Sequence, residues 1–233
     1  MIQLFFPLRC PVCDGIVRPF GEKICTECIP KLPPLSPPWC NRCGKKLLLE
    51  EGICSDCRSK KHYFVRGRSV YEYKGVAEAI YRFKYRNRKE YADFFGEETA
   101  KYLGDFLRKL RPDYLIPIPL HRKRFLKRGY NQAALLAEAI GNYTNIPVLS
   151  NGLIRKKNTV PLKLLKPQER QNNLENAFTI GKNDVKLRVN SKVIVLVDDI
   201  YTTGASVDEA TKVLLQAGAK EVYFVTLASG TGV

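Results

Sequence analysis

Val193-Ile194-Val195-Leu196-Val197-Asp198-Asp199-Ile200-Tyr201-Thr202-Thr203-Gly204-Ala205-Ser206 is the stretch whose reading decides the fold. Five aliphatic residues stand in a row without polar interruption, the pattern of a strand buried on both faces in a parallel sheet. Asp198 and Asp199 follow where the strand is expected to leave the sheet. A small, hydroxylated turn comes next, and a helix is expected at once, from Ser206 to Ala217, with Gly218 stopping it. Free backbone N–H groups at a helix start, joined by the hydroxyls of Thr202, Thr203 and Ser206, form a cradle for phosphate. Gly204 lets the backbone approach an anion closely. The two carboxylates repel phosphate, but they can accept hydrogen bonds from sugar hydroxyls, as acidic residues do on ribose in dinucleotide-binding folds. Phosphate at one end and a vicinal diol at the other describe a ribose 5-phosphate. The plainer alternative is an ordinary turn with Ser206 as N-cap and Glu209 completing a capping box.

The same stretch resembles the thirteen-residue signature of type I phosphoribosyltransferases, which bind phosphoribosyl pyrophosphate (PRPP). That resemblance implies a PRPP site in which Asp198 and Asp199 hold the ribose and Thr202, Thr203, Gly204, Ala205 and Ser206 hold the 5-phosphate, with Mg²⁺ accompanying the ligand.

Upstream, Tyr114 to Ile118 reads as a second buried strand. It feeds a segment in which Arg122, Lys123, Arg124, Lys127 and Arg128 follow one another with no acid. A helix is expected after it, with Leu135, Leu136, Ala139 and Ile140 on its apolar face. A basic loop at the carboxyl end of a strand lies where ligands bind in open α/β sheets, and it is suited to pyrophosphate; the alternative is a solvated charge run. Val65 to Tyr73 reads as a strand, Gly75 to Arg86 and Glu90 to Leu110 as helices, and Glu221 to Ala228 as the last strand. The polar, basic stretch from Ile154 to Phe178 is expected to be a mobile cover that excludes water. The fold class is therefore α/β: a parallel sheet flanked by helices, spanning residues 66–233, behind a small amino-terminal module, residues 1–62. No Walker A sequence is present.

All eight cysteines lie in that module, as four Cys-x-x-Cys pairs: Cys10/Cys13, Cys25/Cys28, Cys40/Cys43 and Cys54/Cys57. Each pair can form a knuckle presenting two sulfurs to one tetrahedral metal, so the eight thiolates suit two structural Zn²⁺ ions. Disulfides and iron–sulfur ligation fit the context and spacings less well. Sequential pairing is expected, Cys10, Cys13, Cys25 and Cys28 on one ion and Cys40, Cys43, Cys54 and Cys57 on the other; an interleaved arrangement stays open. Gly44, and similarly Gly15, suit knuckles needing a left-handed residue. Pro30 to Pro38 reads as a stiff spacer between the halves, and Trp39 as packing on the ribbon. Residues 58–66 read as a solvated linker, with His62 alone and exposed.

The net charge of +16 favours polyanionic partners, nucleic acid or a polyphosphorylated small molecule. No apolar run approaches the length of a membrane span, and the start lacks the features of a secretory leader, so a cytoplasmic protein is expected.

Taken end to end, the chain resembles the ComF family, a double zinc ribbon followed by a phosphoribosyltransferase-like domain. The resemblance is carried by Tyr73-Lys74-Gly75, Lys84, Pro117 to His121, Arg124, Arg128-Gly129-Tyr130-Asn131-Gln132, Leu135, Ala137, Arg155, Thr159, Arg170, Asn173, Ala177-Phe178 and the signature loop. It implies PRPP binding, with His121 among the ligand-binding residues, and a role in natural competence, handling imported single-stranded DNA beside a helicase partner. If the chain is an active transferase, Asp198, Asp199, Arg124 and Arg128 are the expected catalytic set. Two positions depart from the family pattern: Leu162, where the family has Gln, and Asn87, where it has Gly.

Overall fold

The computed structural model describes residues 7–48, 52–157, 176–182 and 185–230. The cysteine-rich segment holds one 3₁₀ stretch, Thr26–Lys31, and a short helix, α1 (Ser55–Ser59). Then follow β1 (Gly67–Glu72), α2 (Tyr73–Tyr85), α3 (Tyr91–Leu110), β2 (Tyr114–Pro117), α4 (Arg122–Arg128), α5 (Gln132–Thr144), β3 (Leu153–Arg155), β4 (Phe178–Ile180), α6 (Val185–Val189), β5 (Val193–Tyr201), α7 (Ala205–Gln216) and β6 (Glu221–Ser229).

Four strands form one parallel sheet in the order β1-β6-β5-β2, and Val148 extends it beyond β2 through a bridge to Leu115. The quoted stretch lies at its centre, paired with β2 on one side and β6 on the other. Successive side chains of a strand point to opposite faces, and β5 divides accordingly. Ile194 and Leu196 join one core with Val207, Ala210 and Leu214 of α7, while Val195 and Val197 join the other with α2, α3 and α5. Apolar residues at helical spacing on α2 (Val76, Ala79, Ile80, Phe83) and α3 (Phe95, Leu103, Leu107) supply that second core. The architecture is the α/β sheet with flanking helices and cysteine-rich amino-terminal module that the sequence predicts.

Four local expectations are corrected. β5 does not stop at Val197; the ladder continues to Tyr201, opposite Ser229, so the acidic pair lies within the strand end. The basic segment after β2 is a helix: the His121 side chain accepts from the Lys123 N–H at its start, and Gly129 ends it at φ +81°. Arg, Lys and Leu are good helix formers, so a charge run between two caps folds rather than loops. The ends of the Ile154 to Phe178 stretch are paired, with β3 and β4 forming an antiparallel ribbon and Lys156 N–H donating to the Ala177 carbonyl at 2.8 Å. The middle of that stretch, including Thr159, Leu162, Arg170 and Asn173, lies outside the described residues. Finally, the first knuckle's left-handed residue is Asp14 (φ 57°), one position before Gly15; Gly44 (φ 75°) is as expected.

Candidate functional site

Strand β5 delivers the acidic pair to the carboxyl edge of the sheet, with one carboxylate on each face. Asp199 is buried at 4% exposure, ion-paired to Lys84 Nζ of α2 at 2.9 Å and accepting from Gln132 Nε2 of α5 at 2.7 Å. Asp198 is half-buried, and its Oδ1 accepts from the Asp199 N–H at 2.8 Å. Burial, then the neighbouring Asp199 charge, push the Asp198 carboxyl up to about 7, against the opposing pull of Lys84 and Arg155.

Beyond Tyr201 the chain turns through Thr202 and Thr203 into Gly204, the N-cap of α7, at φ +78°. A side chain at position 204 would carry its Cβ to 2.7 Å from the Tyr201 hydroxyl, so glycine is required by both conformation and space. No side chain caps this helix. Ser206 lies inside the first turn, and Glu209 instead accepts from the Asn176 N–H at 2.7 Å, so the capping-box alternative does not hold. Thr203 Oγ1 is buried and has no hydrogen-bond partner among the described residues. An uncapped helix start with an unengaged hydroxyl above it is a set of donors suited to an anion.

The cationic side of the site comes from α2, α4 and β3. Arg128 donates to Gln132 Oε1, linking it through that amide to Asp199, and its guanidinium lies 5.0 Å above the Tyr85 ring. Burial, then the charge of Arg128, lower the pKa of Arg124. Burial, then the charge of Arg124, bring Arg155 down to about 10, with Asp198 opposing. Arg155 is thus within electrostatic reach of both Asp198 and Arg124. The loop between α4 and α5 is held in place: Asn131 Nδ2 donates to the Ile118 carbonyl at 3.0 Å, and the Tyr130 hydroxyl donates to the Phe83 carbonyl. His121 is half-buried and spends Nδ1 on capping α4.

The eight cysteines gather as two tetrads, Cys10, Cys13, Cys25 and Cys28, and Cys40, Cys43, Cys54 and Cys57; within each, the sulfurs lie within 4.8 Å of one another. The grouping is sequential. In the second tetrad the Cys43 and Cys54 N–H groups point to Cys40 Sγ at 3.5 and 3.3 Å, the polarisation that a thiolate ligand accepts. Both donor sets fit a tetrahedral zinc ion and leave no open coordination position, so they supply structure rather than reaction chemistry.

His62 was expected to be exposed, and the structure buries it. It is 3% exposed, with Nδ1 2.8 Å from Asp208 Oδ2 in the first turn of α7, and Asp208 Oδ1 accepts from the Tyr63 N–H at 3.0 Å. Its ring stacks on Phe64 at 4.7 Å, and Phe64 packs edge-on against Phe224, which itself stacks on Tyr201. Arg42, inside the Cys40–Cys43 knuckle, donates to the His62 and Phe64 carbonyls at 2.7 and 3.3 Å. The segment between the modules is therefore a strap from the second cysteine tetrad to the underside of the turn between β5 and α7. Nothing local in the sequence signals this, because the partners are 146 positions apart. The Lys84–Asp199 pair is equally non-local.

Residues 1–58 match the double zinc ribbon domain family and residues 125–231 the phosphoribosyl transferase domain family, so the class is a zinc-ribbon protein with a phosphoribosyltransferase-like fold. The chain is 31% identical to competence protein F of Haemophilus influenzae over 96% of this chain and 98% of that protein. It is 33% identical to competence protein ComFC of Bacillus subtilis, covering 91% and 90%. The DNA utilization protein YhgH of Escherichia coli K12 is 28% identical over 78% of this chain and 80% of its own length. The chain belongs to the ComF family of competence proteins.

Proposed function

We propose that this chain binds PRPP with Mg²⁺ at the carboxyl edge of the sheet and single-stranded DNA along the adjoining basic edge, supporting DNA uptake in natural transformation from the cytoplasmic side, in reach of a competence helicase. The observation that carries the reading is the uncapped start of α7 behind Gly204, with two acids one step upstream on the central strand. In this reading Thr202 to Ser206 take the 5-phosphate and Asp198 the ribose diol. Asp199, fixed by Lys84 and Gln132, contributes charge and position to the same diol. His121, Arg124 and Arg128 face the pyrophosphate, and Arg122, Lys123, Lys127, Lys156 and Lys157 extend the cationic edge toward DNA phosphates. Each cysteine tetrad holds one structural Zn²⁺. The names of the relatives, competence and DNA utilization proteins, support the DNA half. No helix among the described residues is long and apolar enough to cross a membrane.

Titration calorimetry with PRPP and Mg²⁺, beside a gel-shift series with an oligonucleotide at rising salt, tests both halves. Saturable PRPP binding and a log–log salt slope of about −0.7 per neutralised phosphate are expected. Absence of PRPP heat in a folded protein, or a flat salt response, removes the corresponding half.

A second reading is an active transferase. It is favoured by Arg155, which lies within electrostatic reach of both Arg124 and the raised Asp198 carboxyl, since clustered cations stabilise a departing pyrophosphate electrostatically. Pyrophosphate release from PRPP with a panel of bases and amines, above an Asp199→Ala background, is the expected sign; release no faster than that background rejects turnover.

A further inference from the structure

The exposed face of α2 carries an aromatic pair that the core does not use. Tyr81 and Tyr85 are 49% and 60% exposed, one helical turn apart, with ring centroids at 5.2 Å. Both core-facing stripes of the helix are filled by other residues, Val76, Ala79, Ile80 and Phe83. Lys74 is exposed on the same helical line as the two rings, and Arg86 follows them. The Arg128 guanidinium sits 5.0 Å over Tyr85, and Arg124 also acts on that ring electrostatically. On α4, across Arg128, Phe125 and Leu126 are 46% and 70% exposed, set among Arg122, Lys123 and Lys127. Glu78 stands on the same helical line between Lys74 and Tyr81 and is largely exposed, with its carboxylate charge met by Arg82 at 3.6 Å.

We propose that Tyr81 and Tyr85 form a base-stacking platform for single-stranded nucleic acid, opening off the rim of the sugar-phosphate site. The proposal rests on the DNA-binding half of the function above and goes beyond it by naming the surface and the part of the polymer it reads. A cationic groove alone holds phosphates and does not distinguish one polyanion from another. Flat aromatic faces flanked by cations add an interaction with the π-face of any base, and that face is accessible only when the base is not stacked inside a duplex. The platform therefore selects single strands without reading sequence. It is also continuous with the site: Tyr85 touches Arg128, Arg128 bonds Gln132, and Gln132 bonds Asp199. A strand lying on the rings thus ends its path at the mouth of the pocket.

The test compares the full chain with Tyr81→Ala/Tyr85→Ala and Tyr81→Phe/Tyr85→Phe double variants. Binding is measured by fluorescence anisotropy to a labelled oligo(dT), an abasic backbone of the same length, and a duplex. Both positions are exposed, so unfolding is not expected, and circular dichroism checks it. The wild type binds oligo(dT) more tightly than the abasic strand and the duplex. The alanine pair weakens oligo(dT) binding by about tenfold per lost stack, and the phenylalanine pair retains it. The slope against salt stays the same in all three proteins, because no phosphate contact is removed. Equal affinity of the wild type for oligo(dT) and abasic strand, or unchanged oligo(dT) affinity in the alanine pair, overturns the platform and leaves the DNA reading standing. Failure of the wild type to bind any of the three ligands removes the DNA reading and the platform with it. Intact DNA binding with lost affinity for a free nucleobase also overturns the proposal, assigning the rings to an acceptor.

Discussion

Two halves of the amino-terminal module share one motif and occupy different environments. The first tetrad docks by polar contacts. Asp14 meets Arg88 at 2.9 and 3.1 Å, the Tyr91 hydroxyl lies 3.0 Å from both the Cys10 carbonyl and the Asp14 carboxylate, and Arg82 donates to the Pro11 and Val12 carbonyls. Lys23 bridges to Asp93 and Glu97 of α3. Cys13 remains exposed. The second tetrad is buried throughout and belongs to the same hydrophobic cluster as Tyr201, Val207 and Phe224, beneath the turn between β5 and α7. The Cys43–Gly44 turn lies so close to β1 that a Cβ at Gly44 would meet the Gly67 carbonyl at 2.8 Å. A motif that builds a metal knuckle locally does not determine what the knuckle rests on. Here one copy is held against α2 and α3 by hydrogen bonds and ion pairs beside Val12 and Ile24, which pack on the second core, and the other is part of the core beneath the turn after β5.

The largest test of that contrast is loss of one ligand from each tetrad. Cys54→Ser is expected to cost more than about 4 kcal/mol, since the metal's binding energy is folding energy and its loss opens a shared core. Thermal unfolding and PRPP calorimetry should both collapse. Cys13→Ser should leave PRPP binding within about twofold, on the scale of noise in such titrations, and equal loss in the two variants breaks the comparison. Next, Gly204→Ala should cost about 3 kcal/mol of PRPP affinity or stability, because a left-handed residue acquires a Cβ against the Tyr201 hydroxyl. Calorimetry of the folded variant reads it. His62→Ala should follow at about 2 kcal/mol, removing the Asp208 partner and the Phe64 stack together. Chemical denaturation is expected to show the loss, and PRPP affinity to fall with it, whereas an intact affinity would cut the strap out of the site.

The Asp198 carboxyl supplies a pH prediction of similar or smaller size. Its folded pKa of about 7 lies above the ordinary carboxylate value of 3.8, so the native state binds the proton more tightly. Its cost is absent below about pH 4, grows as the pH rises through the window between those values, and is complete above about pH 7. Asp198→Asn should therefore raise the stability of the ligand-free protein by on the order of 1–2 kcal/mol at pH 8 and by nothing at pH 4, as read from denaturant midpoints. A gain that does not change with pH contradicts the assignment. The smallest effect is expected at the appended half. Arg88→Ala removes the Asp14 pair, both partners about one-third exposed or less, and should cost about 1 kcal/mol while speeding proteolysis near residue 20 and sparing PRPP binding.

Much of the fold was legible because its signals are local. A short run of aliphatic residues rich in β-branched side chains marks a doubly covered strand, helical spacing in α2 and α3 marks a single apolar face, and Cys-x-x-Cys spacing follows from the bite of one metal. The signature loop was legible for the same reason, with its glycine and hydroxyls within a few residues of the acids. The misreadings concern partners distant in sequence. His62 reads as a lone polar residue in a basic linker until Asp208 is brought to it. Lys84 is an ordinary helix lysine until it meets Asp199.

The sequence by itself determined the strand that carries the acids, the turn that follows it and the two sets of four sulfurs, since each depends on residues close along the chain. Only the tertiary structure decided that Asp199 is buried against Lys84 and Gln132, and that one cysteine tetrad underpins the turn between β5 and α7 while the other rests against α2 and α3. Burial and long-range pairing are properties of the packed chain, and a contact spanning more than a hundred residues leaves no periodicity for a sequence to display.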